Sequence, residues 1–249
     1  MAKWLAAHPD VSGLTGTGVY EDEGQHLQSV YPVALAHGGP GRFALDPAAR
    51  LTEDSELITP DAAGRLLEAW VPYWDTSKPV LLEKSPPNLI RMRFLHALFP
   101  AARFIVVVRH PIAVSFATHK WSRTSIDSLV QHWLTAHEHL VEDSLEVRRV
   151  ALVRYEDLLT NPEFELDRLF AFLSLPSHAG GWSVRPGLNE AYFSRFTSPR
   201  WPWRRREYAR VAAAYESAVS PFGYSLLDPD SLRAPAPEIA QLAPAPRVA

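Results

Sequence analysis

The 249-residue sequence contains no cysteine. This absence excludes disulfide bonds, thiolate metal sites and cysteine nucleophiles, and it is compatible with a reducing compartment. No apolar run approaches the ~18 residues that indicate a membrane span, and the first residues, MAKWLAAHPDV, lack the apolar stretch of a secretory signal. We therefore expect a cytoplasmic protein without a membrane partner.

The sequence also lacks an excess of charge of either sign. Its 25 Lys and Arg residues and 28 Asp and Glu residues give a formal net charge of −3. Because nucleic-acid-binding surfaces are basic, we expect no nucleic-acid partner, and any anion site must be local. With 47% hydrophobic and 21% charged residues, the composition is that of an ordinary globular protein.

Short apolar runs at residues 80–83, 104–108 and 150–153 predict buried parallel strands. Helical patterns follow them, with an apolar stripe from Leu89 to Leu98, a helix start at Pro111, a long helix over residues 126–147 and another helix after Asn161. This alternation predicts an α/β fold in which helices flank a parallel sheet.

The pattern fits a single domain over residues 1–229. Residues 230–249 are rich in Pro and Ala, which predicts a flexible tail. Residues 38–60 are polar and broken by Gly and Pro, so we expect a surface loop of the kind that covers the site in many α/β enzymes.

Two predicted strands end in basic residues, Lys84 and Arg109. Ligands of open α/β sheets bind at the carboxyl ends of the strands, near helix N-termini that favour anions. A single cation after a strand is usually a solvated charge, whereas two at one sheet edge favour an anion site. We therefore expect Lys84 and Arg109 to face one crevice.

Three histidines, at positions 132, 137 and 139, fall in the predicted long helix. None of them stands four residues from another, as a helical zinc pair requires. We therefore expect surface histidines and no metal site.

Three segments together resemble the sulfotransferases that use 3′-phosphoadenosine 5′-phosphosulfate (PAPS), particularly bacterial relatives of tyrosylprotein and glycan sulfotransferases. They are Glu83-Lys84-Ser85-Pro86, Val107-Val108-Arg109-His110-Pro111 and Arg154-Tyr155-Glu156-Asp157-Leu158. Their order and spacing agree with the family, and the resemblance spans residues 1–225. It implies a P-loop NTPase-like fold, PAPS as co-substrate without a metal, and an acceptor that is a small molecule, a glycan or a peptide.

The same resemblance implies roles for the residues at the strand ends. Arg109 would bind the 3′-phosphate, for which a planar guanidinium is apt. Lys84 would lie near the transferred sulfonate or the acceptor. Tyr155 would pack near the adenine, although an aromatic that closes the sheet edge explains it nearly as well.

Two further cofactor contacts are implied less directly. The family's serine eight residues after the arginine is Ala117 here, which leaves Ser115 and Thr118 as neighbouring candidates. The segment from Arg200 to Arg206 mixes aromatics with arginines, a combination that suits either a nucleotide or an RNA strand. The resemblance favours a basic loop, including Arg204, that closes over the cofactor.

Sulfonyl transfer needs a base for the acceptor proton. Related enzymes place a glutamate after the AAHPDV element, and the matching stretch here is Gly18-Val19-Tyr20-Glu21-Asp22-Glu23-Gly24-Gln25. We expect Glu23 to be the base, with Glu21 as the second choice. An acidic, solvated loop is the alternative interpretation.

The sequence departs from the family upstream of these residues. The family's first strand ends in a loop rich in Ser, Gly and Thr that holds the 5′-phosphosulfate, but residues 3–10 resemble the end of the helix that follows this loop. The glycine-rich residues 13–18 come after the HPDV element and are not accepted as a substitute. The first strand and loop are therefore expected to be missing.

This departure leaves two alternatives to an active enzyme. One is a truncated or incorrectly started chain, and the other is an inactive nucleotide-binding or interaction protein on the same scaffold. Loss of a central strand would expose sheet edges, which favours the incorrect start. A P-loop kinase is disfavoured because the sequence has no G-x-x-x-x-G-K-[ST] stretch.

Overall fold

The computed structural model describes residues 1–180 and 187–245. Its strands are β1 (Val11–Gly13), β2 (Val80–Leu82), β3 (Phe104–Val108) and β4 (Val150–Arg154). Its α-helices are α1 (Ala2–Leu5), α2 (Ala62–Trp70), α3 (Met92–Leu98), α4 (Pro111–Ser122), α5 (Ile126–Glu146), α6 (Tyr155–Thr160), α7 (Pro162–Phe172), α8 (Leu188–Thr197), α9 (Pro202–Val219) and α10 (Pro237–Ala240). Within these ranges, none of the helices has the length and apolar character needed to cross a bilayer.

The strands pair in parallel, β1 with β2 and β3 with β4. Val11 lies opposite Val80 in the first pair, and Phe104 lies opposite Val150 in the second. The predicted α/β class with parallel strands is therefore confirmed, and each of the three predicted strands ends within one residue of the expected position. Strand β1 was not predicted, because three residues that end in glycine are too short to show an alternation.

The two strand pairs share one apolar core. Ile105 and Val107 of β3 pack in the same cluster as residues of β1, β2 and β4. Val106 and Val108 point to the opposite face and pack among residues of α4, α5, α8 and α9. Strand β3 is thus covered on both faces, as expected for a parallel sheet flanked by helices.

The four strands form two separate pairs. Within the described ranges, no ladder hydrogen bond joins one pair to the other, and each pair forms a two-stranded sheet.

The apolar stripe from Leu89 to Leu98 does not form one helix. Residues Pro86–Ile90 form a 3₁₀ helix, and α3 begins only at Met92. Arg91 lies between them in a non-helical conformation, with a fully buried side chain whose Nε donates to the carbonyl oxygen of Ala49. The consecutive prolines have no N–H groups for an α-helical ladder, which explains the irregular first turn.

The histidines of α5 correct the prediction of surface residues. His137 is buried, stacks on Trp133 with the ring centroids 3.8 Å apart, and donates from Nδ1 to the Trp133 carbonyl oxygen. His132 packs against Phe43, and His139 lies near Glu142. Burial lowers the pKa of both His132 and His137 to about 4. In the described part of the chain, no cluster of His, Asp and Glu could hold a metal ion.

The C-terminal segment is packed rather than free. Ile239 of α10 is buried in the main core, and the Leu152 N–H of β4 donates to the carbonyl oxygen of Leu242 at 2.7 Å. Arg168 of α7 donates to the carbonyl oxygen of Pro244. The structure thus differs from the flexible tail that composition predicts, while residues 246–249 lie outside the described ranges.

Candidate active site

The loop that follows β1 is bent at two consecutive residues. Glu21 (φ 53°) and Asp22 (φ 50°) both occupy the left-handed region, which is unfavourable for residues other than glycine. The Asp22 carboxylate accepts hydrogen bonds from the backbone N–H and the hydroxyl of Thr17, which lower its pKa and hold the turn. Strained backbone of this kind is concentrated at functional sites.

The bent loop buries Glu23 and leaves Glu21 exposed. One oxygen of the Glu23 carboxylate lies 3.1 Å from Lys84 Nζ, and the other accepts a hydrogen bond from Gln25 Nε2 at 2.6 Å. The Glu23 side chain is only 9% exposed, whereas the Lys84 side chain is 38% exposed. The structure therefore brings together Glu23 and Lys84, and it leaves Glu21 outside this pair.

The residue before Lys84 connects the end of β2 to the same loop. Oε1 of Glu83 accepts hydrogen bonds from Gly24 N at 3.0 Å and from Ser85 Oγ at 2.6 Å. Its other oxygen accepts a hydrogen bond from Asn88 Nδ2. Burial raises the pKa of the Glu83 carboxyl, although these hydrogen bonds oppose the effect.

Arg109 lies at the end of β3 and is held by a buried asparagine. Its Nε and Nη2 donate to Oδ1 of Asn189 at 3.0 and 2.7 Å, and its guanidinium carbon lies 4.5 Å from the centre of the Tyr155 ring. A guanidinium has five N–H donors, so these two bonds leave donors for an anion. Because Arg109 covers one face of the Tyr155 ring, this face is not open to adenine. This contact fits the alternative interpretation of Tyr155 as a packing residue.

Glu156 anchors this arrangement. Its carboxylate accepts hydrogen bonds from Asn189 Nδ2 (2.7 Å), from the backbone N–H of His110 (3.1 Å) and from the Tyr224 hydroxyl (2.9 Å). Sequence reasoning missed Glu156 and Asn189 as site residues. Glu156 stands inside a quoted motif and could have been found there, but nothing in the sequence around Asn189 indicates a contact with Arg109.

Ser115 and Thr118, the candidates for the phosphate contact that a serine makes in the family, lie in α4. Ser115 is fully buried in α4, and its hydroxyl has no hydrogen-bond partner in the described part of the chain. Thr118 borders the loop at Gly41, where an added Cβ would lie 2.9 Å from the Thr118 methyl group. In the described part of the chain, neither side chain forms a hydrogen bond with Arg109, Asn189 or Glu156.

Arg204 lies in a helix, so the prediction of a loop at this segment is wrong. Helix α9 begins at Pro202, and Arg204 in its first turn lies 3.0 Å from Glu207 and 4.2 Å from the Trp203 ring centre. Proline suits the first helical position because its missing N–H would have no intrahelical partner there. The described contacts of the Arg204 guanidinium are all within this helix.

Two groups of residues that could take part in binding or catalysis thus lie at the ends of strands, one after β2 and the other after β3. The first joins a buried carboxylate, Glu23, to a partly exposed cation, Lys84, which together can accept a proton and stabilise developing negative charge. The second presents the guanidinium of Arg109, held by Asn189 and Glu156, which suits a phosphate group.

A sequence model of the sulfotransferase family matches residues 1–179. Two omega-hydroxy-beta-dihydromenaquinone-9 sulfotransferases, from Mycobacterium bovis and Mycobacterium tuberculosis, are each 31% identical to this chain over 119 residues. Each match covers 41% of this chain and 30% of the relative. The matched region is therefore less than a third of the length of these curated relatives.

Among solved structures, the chain is similar to a sulfotransferase from Alicyclobacillus acidocaldarius, with 15% identity and a TM-score of 0.45 over 88% of this chain and 89% of that one. It is also similar to the sulfotransferase domain from the curacin biosynthetic pathway, with 19% identity and a TM-score of 0.39 over 61% of this chain and 65% of that one.

Proposed function

Because the chain belongs to the sulfotransferase family, we propose that it transfers a sulfonate group from PAPS to a hydroxyl or amine of an acceptor. The observation that carries this proposal is the buried Glu23 carboxylate, which lies 3.1 Å from Lys84 Nζ at the end of a parallel strand. A base and a cation at one point are what an in-line sulfonyl transfer requires.

In the proposed reaction, Glu23 accepts the proton of the acceptor hydroxyl. The hydroxyl oxygen forms a bond to the sulfonate sulfur as the bond between sulfur and the bridging phosphate oxygen breaks. The leaving group is 3′-phosphoadenosine 5′-phosphate, which carries away the electron pair of the broken bond. Lys84 stabilises the negative charge that develops between the sulfonate and this leaving group.

The fit of PAPS to the residues of this chain rests on Arg109. Its guanidinium keeps donors beyond those bonded to Asn189, and a planar fork of this kind suits the 3′-phosphate. We assign the 3′-phosphate to Arg109 and the sulfonate to Lys84. We assign no residue of this chain to the 5′-phosphosulfate, because the glycine-rich residues 13–18 lead into the Glu23 loop instead.

For the acceptor, we propose an alcohol or phenol with an apolar body. Tyr20, three residues before Glu23, packs edge-to-face on Trp121 of α4, and these side chains are 61% and 71% exposed. Exposed aromatic surface beside a polar site favours an apolar ligand. The names of the curated relatives specify a hydroxylated menaquinone as acceptor, which is a molecule of this general kind.

Calorimetric titration with 3′-phosphoadenosine 5′-phosphate tests the nucleotide site. Arg109→Ala should lower the affinity by roughly 10- to 100-fold, because charge-assisted hydrogen bonds contribute about 1.5–3 kcal/mol. The affinity for adenosine 5′-monophosphate, which has no 3′-phosphate, should hardly change. Arg148→Ala, at an exposed arginine that precedes β4, is the matched control and should bind both nucleotides like the unaltered protein.

An equal loss of affinity for the two nucleotides would contradict the assignment of Arg109. Transfer of radiolabelled sulfonate from PAPS to naphthol or to a long-chain alcohol tests the activity itself. Nucleotide binding without any transfer to a broader acceptor panel would support the inactive scaffold instead of the enzyme.

A further inference from the structure

Three consecutive residues at the end of β2 contact three consecutive residues of the candidate catalytic loop. Lys84 pairs with the side chain of Glu23, Glu83 accepts from the backbone N–H of Gly24, and Ser85 Oγ accepts from the backbone N–H of Gln25 at 3.0 Å. Only the first of these contacts involves a side chain of the loop. The other two hold the backbone immediately after Glu23.

Gly24 is held from both sides. Its N–H donates to Glu83, and its carbonyl oxygen accepts a hydrogen bond from Trp70 Nε1 at 3.0 Å. A Cβ added at Gly24 would lie 2.6 Å from Glu83 Cγ and 2.8 Å from Trp70 Nε1. The backbone at this position is therefore clamped so closely that only glycine fits.

Glu83 is hydrogen-bonded, directly or through Ser85, to both of the backbone N–H groups that follow Glu23. The first peptide N–H donates directly to Glu83 Oε1, and the second donates to Ser85 Oγ, which itself donates to the same Glu83 oxygen. Glu83 is half-buried, burial raises the pKa of its carboxyl, and the hydrogen-bond donors to this carboxylate in the described part of the chain are all neutral groups. Burying a carboxylate among neutral donors is costly, which points to a role that an apolar side chain would not fill.

We infer that Glu83 is a positioning residue for Glu23, acting through the clamped backbone of Gly24. Glu83 does not touch the reacting atoms. It fixes the peptide groups next to Glu23 so that the carboxylate of Glu23 stays at Lys84, in the geometry for proton transfer. This inference rests on the proposed function for its catalytic consequence, but the clamp itself can be tested without turnover.

The first test concerns the clamp, which consists of Glu83 and Trp70 on either side of Gly24. It compares variants of these two residues in the transfer of radiolabelled sulfonate from PAPS to naphthol. Glu83→Ala and Trp70→Phe should each lower kcat by up to about 100-fold, since small displacements of a catalytic group have effects of this size. The KM for PAPS should stay within a factor of about two, because neither residue has a described contact with Arg109, to which the 3′-phosphate is assigned.

Two matched variants separate positioning from structural support. Trp74→Phe removes an indole hydrogen bond of the same length, from Trp74 Nε1 to the carbonyl oxygen of Leu82, that does not reach the loop, so kcat should stay near its original value. Glu83→Gln should retain most of the activity. The amide oxygen can accept from Gly24, and Asn88 can turn to offer its Oδ1, which is buried without a partner in the described part of the chain, to the new amide N–H group.

The second test is amide hydrogen exchange at Gly24 and Gln25, measured by nuclear magnetic resonance on each folded variant. Protection at both amides should fall by roughly 10- to 100-fold in Glu83→Ala, which corresponds to the loss of about 1.4–2.7 kcal/mol, and it should persist in Trp74→Phe. If Glu83→Ala does not fold, Trp70→Phe is measured in its place, with the loss expected at Gln25.

The inference is overturned if the clamp variants exchange like Trp74→Phe, or if they lower kcat no more than this control does. If the unaltered protein binds 3′-phosphoadenosine 5′-phosphate but transfers no sulfonate to any acceptor, the proposed function fails. In that case the exchange comparison alone decides whether Glu83 holds the loop.

Discussion

At the scale of single residues, two glutamates two positions apart have different environments. Glu21 is exposed in a left-handed conformation, whereas Glu23 is buried against Lys84 and Gln25. The loop is held in this bend by Asp22, whose carboxylate bonds to Thr17. Because both residues have the same chemistry, the backbone conformation of this loop is what supports the proposal of Glu23, rather than Glu21, as the base.

This choice gives a paired prediction. Glu23→Gln should lower kcat for sulfonate transfer from PAPS to naphthol by roughly 10²- to 10⁴-fold, which is the usual contribution of a general base. Glu21→Gln, the matched control, should leave kcat within a factor of about two, because its side chain is outside the pair. Both variants should bind 3′-phosphoadenosine 5′-phosphate normally. A loss of equal size in the two variants would argue against Glu23 as the base.

At the scale of elements, two C-terminal segments differ from what their composition indicates. The segment of aromatics and arginines around Pro202 begins a helix of eighteen residues, α9. The Pro- and Ala-rich segment that follows is tied to β4 through Leu242 and to the core through Ile239. Because the tail supplies an acceptor for a β4 N–H group, it protects part of that strand edge.

The packing of the tail predicts a stability effect. Ile239→Ala should lower the free energy of unfolding by about 2–4 kcal/mol, because it leaves a cavity in the core. Glu238→Ala alters the neighbouring exposed residue of α10 and should change the free energy by no more than about 0.5 kcal/mol. Urea denaturation followed by circular dichroism measures both. An unchanged unfolding midpoint for Ile239→Ala would show that the tail is free in solution.

At the scale of the whole molecule, strand β3 is covered on both faces, and the side chains packed in the interior include buried imidazoles. His110 caps α4 by accepting a hydrogen bond from Ile112 N, and it donates to the carbonyl oxygen of Ser225. Burial lowers the pKa of His110 to about 4, as it does for His132 and His137. Each of these histidines is therefore neutral in the folded protein near neutral pH.

These lowered pKa values predict a loss of stability in acid. In the unfolded chain a histidine titrates near 6.5, so between pH 6.5 and about 4 the unfolded state binds more protons than the folded state. Their stabilising contribution is therefore full above pH 6.5 and falls with pH until about pH 4, by up to roughly 3 kcal/mol for each histidine. Urea denaturation at several pH values measures this slope, and His137→Phe should make it shallower. An unchanged slope in this variant would contradict the lowered pKa of His137.

The sequence by itself determined the features that depend on neighbouring residues. The apolar runs predicted β2, β3 and β4 to within a residue, because a buried strand needs a short unbroken apolar segment. Pro111 marked the start of α4, and the apolar periodicity after residue 126 marked α5. The quoted motifs led to the family, which the match over residues 1–179 confirms.

Only the tertiary structure decided the features that join distant residues. It placed Glu23 against Lys84 and left Glu21 exposed, connected Arg109 to Asn189 and Glu156, and buried His137. It also clamped Gly24 between Glu83 and Trp70. The physical reason is that the energy of a buried polar group depends on partners brought to it by folding, and those partners are far away along the chain.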